Sequence, residues 1–137
     1  MVIKSQKTTH EEVLIRQIVQ KHPAIQLAIL FGSLANGSAR PDSDLDLAVS
    51  AGRRLEVHEK IELIEELAEA TGRPVDLVDI VTAGEPLSGQ ILKRGRKIIG
   101  STTHYASFLN RHLLDQADFM PYRQRILEER RRAWIGL

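Results

Sequence analysis

Asp44 and Asp46 are separated by a single leucine and followed by another, in the run Asp44-Leu45-Asp46-Leu47. In an extended strand, side chains two apart share a face, so both carboxylates project together while Leu45 and Leu47 turn into a core. Two carboxylates held in one small volume repel, and one of them keeps a proton unless a cation lies between them. A hard divalent ion that takes oxygen ligands, Mg²⁺ above all, removes that penalty. The strand therefore asks for a metal.

Upstream, the apolar segment Ala24 to Phe31 is long enough for one buried strand and runs into Gly32-Ser33. Glycine just past a strand end lets the backbone approach a ligand closely, and the residues after it can begin a helical turn whose N–H groups face an anion. A triphosphate suits that position. The Ser33 hydroxyl adds a donor, and Asn36-Gly37 supplies the turn that sends the chain round to the acidic strand. A third carboxylate comes from Val75 to Val81, read as another strand, which carries Asp76 and Asp79. Three residues apart, these two cannot both face the site. Asp76, flanked by Val75 and Leu77, is costly to place in a strand without a charged or metal partner, so it is the candidate; Asp79 is assigned to a strand end or loop.

Gly32-Ser33, ten intervening residues and Asp44-Leu45-Asp46 together resemble the signature of the DNA polymerase β nucleotidyltransferase superfamily, over roughly Ile25 to Val81. The resemblance implies a minimal nucleotidyltransferase core, in which Asp44, Asp46 and Asp76 form a catalytic triad that holds two Mg²⁺ ions. It also implies ATP as substrate, with Gly32, Ser33, Arg40 and Ser43 at the nucleotide; Arg40 serves either to neutralise phosphate or as an ordinary loop residue. Family members that modify aminoglycosides or tRNA add a second domain for the acceptor, and this chain has only one terminal helical segment. Among single-domain members it resembles the antitoxins of HEPN/MNT toxin–antitoxin pairs. That likeness implies transfer of AMP to a tyrosine of a cognate HEPN-domain RNase toxin. Two alternatives stay open: an antitoxin that neutralises its partner by binding alone, and a transferase with a small-molecule acceptor.

The elements that must position these residues alternate strand and helix, giving an α/β (α+β) class with a small mixed sheet carrying helices on one side. A first helix is capped by Thr8 or Thr9 with Glu11 and Glu12 in capping-box register, buries Leu14-Ile15 and Ile18-Val19, and ends before Pro23. A second spans Leu55 to Ala70 with Val57, Ile61, Ile64, Leu67 and Ala68 as its apolar stripe, stopped by Gly72 and Pro74. His58, among Glu and Lys, reads as a surface residue. A short helix from Glu85-Pro86 to Lys93, a last strand at Lys97-Ile98-Ile99 and a helix from Ser101 complete the series. Residues 1–100 form the expected core and 101–137 a helical extension of the same domain.

Composition narrows the setting. The chain has 137 residues, one domain's worth, and a formal net charge of +1, so no global field argues for nucleic acid or a membrane surface. Without cysteine it has neither disulfides nor thiolate zinc sites, consistent with a reducing compartment, and the expectation is cytoplasmic. No stretch is apolar enough to span a bilayer. Beyond Pro121, Arg123, Arg125, Arg130, Arg131 and Arg132 flank Tyr122, Ile126 and Trp134. Glu128-Glu129 offset that basic run, which reads as a solvated face or a protein-partner surface, with direct nucleic-acid binding set aside.

Overall fold

The computed structural model describes residues 9–117. Thr9 caps the first helix, α1 (His10–Gln20), by accepting the Glu12 N–H at 3.1 Å, and Ile15, Ile18 and Val19 form its buried stripe. The chain then enters β1 (Leu27–Phe31), turns through α2 (Ser33–Asn36), and returns along β2 (Leu45–Ser50). A long helix, α3 (Val57–Thr71), opens with a capping box between Glu56 and Glu59 and closes on Gly72. It crosses over to β3 (Val75–Asp79), which is followed by α4 (Leu87–Arg94), β4 (Arg96–Ile99) and α5, helical over residues 102–117, with Ser101 Oγ accepting the His104 N–H.

The strands form one mixed sheet in the order β3-β2-β1-β4. β1 runs antiparallel to β2 and β4, and β3 lies parallel to β2 because α3 carries the chain back across the sheet. Helices cover both faces, not one as the pattern suggested. On one face Ala28, Leu30, Leu45, Leu47 and Val49 pack against Ile15 and Val19 of α1 and Leu63 and Leu67 of α3. On the other, Leu27, Ile29, Ala48 and Ile80 pack against Ile91 of α4 and Phe108 of α5. The continuous apolar run of β1 follows from this, since a central strand between two helical layers has no solvent face.

The stripe of α3 also differs from expectation. Leu63 and Leu67 are buried, whereas Val57 and Ile61 are 71% and 50% exposed. The phase of the helix is set by the residues that meet the sheet, so an apolar residue on the outer side finds nothing to pack against. His58 is exposed and lies 3.2 Å from Glu56, a surface pair. Among the described residues no helix is long and apolar enough to cross a membrane. The basic C-terminal run from Pro121 lies outside the described residues.

Candidate active site at the acidic row of the sheet

The sheet register gathers the chemistry into one row. Asp46 pairs with Phe31 on one side and with Asp76 on the other, and one row below Ala48 pairs with Ile29 and Val78. Paired residues in a sheet share a face, so Asp76, Asp46 and Phe31 stand on the side packed by α4 and α5. Those helices cover the lower, apolar rows and leave the acidic row open: Asp76 is exposed and Asp46 only half-buried.

Asp44 sits just before β2, which begins at Leu45, so it belongs to the loop and is exposed. It nevertheless shares a field with the other two. Partial burial, then the charge of Asp76, then that of Asp44 push the Asp46 carboxyl above its ordinary pKa. Desolvation and two like charges both disfavour the anion, the condition that a bound cation relieves.

Gly32 closes the row from the β1 side. Its φ of 70° and ψ of −155° lie where almost only glycine is found, and a Cβ there would collide with the Asp46 carboxylate. The backbone of the loop thus comes as close to the acidic strand as atoms allow. Gly32 caps α2, its carbonyl accepting the Ala35 and Asn36 N–H groups at 3.1 and 3.3 Å. Ser33 begins the turn, and the first amides of any helix have no acceptor within it.

Of the remaining predicted residues, Ser43 and Arg40 close a tight turn. Ser43 Oγ accepts the Arg40 N–H at 2.8 Å, and the Ser43 N–H donates to the Arg40 carbonyl at 3.0 Å. The Ser43 hydroxyl is therefore already an acceptor inside its own loop, while the Arg40 side chain is exposed. Asp79, set aside on periodicity, turns to the opposite face and is 5% exposed, accepting the Leu55 N–H at 2.8 Å and the Val81 N–H at 3.1 Å. Its charge serves the fold. A groove of about 750 Å³ between α4 and α5 is lined by residues such as Gln90, Tyr105 and His112 and by none of the three aspartates.

The fit to a metal can be judged from the donors. Asp44, Asp46 and Asp76 offer carboxylate oxygens only, the set that Mg²⁺ takes. Among the described residues no three acidic, cysteine or imidazole side chains stand together so as to hold a metal ion, so the fit rests on the chemistry of the donors. Burial first, and then the charges of Asp76 and Asp44, disfavour the Asp46 anion, and a bound cation would offset both. The donor set therefore fits the ion.

Sequence reasoning passed over Arg73, which follows the glycine that stops α3. Its guanidinium pairs with Glu11 of α1 through both carboxylate oxygens and donates to the carbonyls of Arg40 and Ser43. No local signal pairs an arginine with a glutamate 62 positions away.

A mixed sheet whose glycine turn faces a row of aspartates is the architecture of a nucleotidyltransferase fold. The chain belongs to the family described as Polymerase beta, Nucleotidyltransferase, whose pattern matches residues 14–104. It is 35% identical over 92 residues to the protein adenylyltransferase MntA of Shewanella oneidensis, an alignment spanning 67% of this chain and 66% of that protein, just under two thirds of its length. Among solved structures, a chain of a toxin–antitoxin crystal structure with AMP-PNP superposes with a TM-score of 0.75 at 30% identity, covering 88% of this chain and 98% of that one. A chain of the complex between a tri-AMPylated Shewanella oneidensis HEPN toxin and its MNT antitoxin gives 0.67 at 27% identity, covering 87% and 97%.

Proposed function

We propose that this chain is an antitoxin that transfers AMP from ATP to a tyrosine hydroxyl of a cognate HEPN-type RNase toxin. The observation that carries the proposal is the row in which Asp46 and Asp76 pair across β2 and β3, with Gly32 against it, in a chain whose structural neighbours come from toxin–antitoxin complexes with AMP-PNP or with AMPylated toxin. In the reaction the tyrosine oxygen bonds to the α-phosphorus, the bond from that phosphorus to the bridging oxygen breaks, and pyrophosphate leaves with its electron pair.

Asp44, Asp46 and Asp76 are the residues to hold Mg²⁺, which when bound supplies neutralisation of the triphosphate and a more acidic attacking hydroxyl. Asp76, exposed in the row, is the residue to receive the tyrosine proton. Gly32 and Ser33 orient the phosphates through backbone N–H groups at the start of α2. Arg40, exposed in the loop ahead of β2, serves as a phosphate counter-charge, and Ser43 acts by shaping the loop that carries it. Residues 1–100 supply this chemistry, and 101–137 extend the same domain.

Catalysis and neutralisation by binding alone part company at substoichiometric dose, where one catalyst must act on many targets. Incubated with excess toxin, ATP and Mg²⁺, the wild-type chain should add AMP-sized increments to a toxin tyrosine, read by mass spectrometry. The Asp44→Asn, Asp46→Asn double variant should still co-purify with the toxin but leave it unmodified. Equal neutralisation by the double variant at that dose would replace the enzyme with a binding-only antitoxin.

A further inference from the structure

The geometry points to Arg73 as a positioning residue for the catalytic loop: clamped by Glu11, its guanidinium fixes the peptide that precedes Asp44 and so sets the affinity of the site for its divalent cation. The inference rests on the reading of Asp44 as a metal ligand.

Asp44 needs such help because it lies outside the β2 ladder, exposed, at the end of a loop that begins near Gly37. Both of its neighbouring peptides are nevertheless tied to one dipeptide. The carbonyl of Ser43 accepts from Arg73 Nη1 at 2.9 Å, and the N–H of Leu45 donates to the carbonyl of Pro74 at 2.8 Å. Arg73-Pro74 therefore brackets Asp44 from before and behind. The same Nη1 also donates to the Arg40 carbonyl, holding the turn that Ser43 closes.

The guanidinium is itself held. Nε and Nη2 donate to the two oxygens of Glu11, so four of the five donor hydrogens of an arginine are used, and the Arg73 side chain is only 10% exposed. A lysine cannot copy this. Its ammonium is a compact point charge without the planar fork, and it cannot grip a carboxylate and two carbonyls at fixed angles. The site thus depends on α1, the 40–43 turn and the α3–β3 corner meeting at one side chain. Outer-shell groups that orient a ligand commonly change metal affinity by about 10- to 100-fold when removed.

The test uses the full chain and reads metal binding directly, by the loss of the free Mn²⁺ resonance signal on titration, alongside the Mg²⁺ concentration for half-maximal AMP transfer. Arg73→Ala and Arg73→Lys should each weaken Mn²⁺ binding about tenfold or more and raise the Mg²⁺ requirement in proportion. Transfer should recover to within a few-fold of wild type at saturating Mg²⁺. Glu11→Gln should shift both in the same direction by less. Arg53→Ala, which removes an arginine–glutamate pair at the opposite end of the fold, should leave both unchanged. Arg73→Lys keeps the stem and the charge, and its result stands if the alanine variant does not fold. Asp44→Asn is the yardstick. If it binds Mn²⁺ as wild type does, the metal reading of the site fails; if it does not, and the folded Arg73 variants bind as Arg53→Ala does, the positioning role is overturned.

Discussion

Asp46 and Asp76 occupy the same register position in the parallel β2–β3 pair, in the row that α4 and α5 leave uncovered on the face they pack. The strands cannot separate them without breaking the ladder, so their repulsion is built into the fold. Proteins retain such arrangements where the charge is used, and a half-buried acid with a raised pKa beside two others is a recognised mark of a functional site. The pairing also fixes how the site must respond to pH.

In the unfolded chain Asp46 ionises at its ordinary pKa, whereas in the fold it ionises at a higher one. Between those two values the folded state holds more protons than the unfolded, so this group makes stability fall as pH rises through the window. Asp46→Asn removes the penalty. Near about pH 7 the variant should melt slightly above wild type, and the difference should vanish as pH falls into the ordinary carboxylate range, where Asp46 is protonated in both states. Mg²⁺ should raise the melting temperature of wild type and not of the variant, because only a state that binds the ion is stabilised by it. AMP transfer should drop by about a hundredfold or more. A variant that melts below wild type at every pH would contradict the placement of Asp46 in a repulsive row.

Gly32→Ala tests the contact between the glycine turn and the acidic strand. The substitution forces a side chain into a backbone conformation that costs about 1–3 kcal/mol for residues other than glycine. It also drives a methyl into the Asp46 carboxylate. Urea denaturation should show a loss in that range, and transfer should fall further than the lost stability explains when assayed well below the unfolding midpoint. Full activity in a folded Gly32→Ala protein would mean that the close approach has no role.

Much of this was legible in the chain. The alternation at Asp44-Leu45-Asp46-Leu47 placed Asp46 and the leucines on opposite faces, as found, because period two is a local property of a strand. The third carboxylate emerged because Asp76 and Asp79 differ in parity, and the structure sends them to opposite faces. Where tertiary contacts decide, the pattern failed. Val57 and Ile61 fit a helical stripe as well as Leu63 does, and only the sheet selects between them. Two-sided coverage is legible in the unbroken apolar run Leu27–Phe31, whereas the alternation of strand and helix does not by itself say how many faces the helices cover. Arg73 and Glu11 carry no mutual signal, since each looks like an ordinary charge at a helix end.

Glu12 shows the same limit and yields a prediction. It reads as a capping residue of α1, yet it is 3% exposed and its carboxylate lies 3.1 Å from Arg96 of β4 and 3.8 Å from Arg16. Removing one partner of a buried ion pair strands the other, so Glu12→Ala should destabilise by about 3 kcal/mol, the low end of the usual range. Arg96 keeps 24% exposure, which softens the penalty. Glu12→Leu combined with Arg96→Met should recover most of the loss in chemical denaturation. A double variant as unstable as the single one would show that packing, and not the stranded charge, is what Glu12→Ala disturbs.

Asp76 and Asp79 lie on one strand, three residues apart, and should behave as opposites. Asp79 is buried and spends its two oxygens on the Leu55 and Val81 N–H groups, anchoring the chain ahead of α3 and the turn after β3. Asparagine has one acceptor oxygen, and its amide would face the other N–H donor to donor, so Asp79→Asn should cost about 2 kcal/mol or more. Asp76 is exposed on the open row, and Asp76→Asn keeps its volume while relieving the repulsion with Asp46. Its melting temperature should therefore equal or exceed that of wild type, while transfer should fall by orders of magnitude with the loss of the proposed metal ligand and proton acceptor. Assayed with saturating Mg²⁺ and ATP at a temperature where all three proteins are fully folded, Asp79→Asn should retain activity within a few-fold and Asp76→Asn should lose it. Loss of transfer in Asp79→Asn with stability intact, or a destabilised but active Asp76→Asn, would reverse the roles of the two carboxylates and move the site to the other face of the sheet.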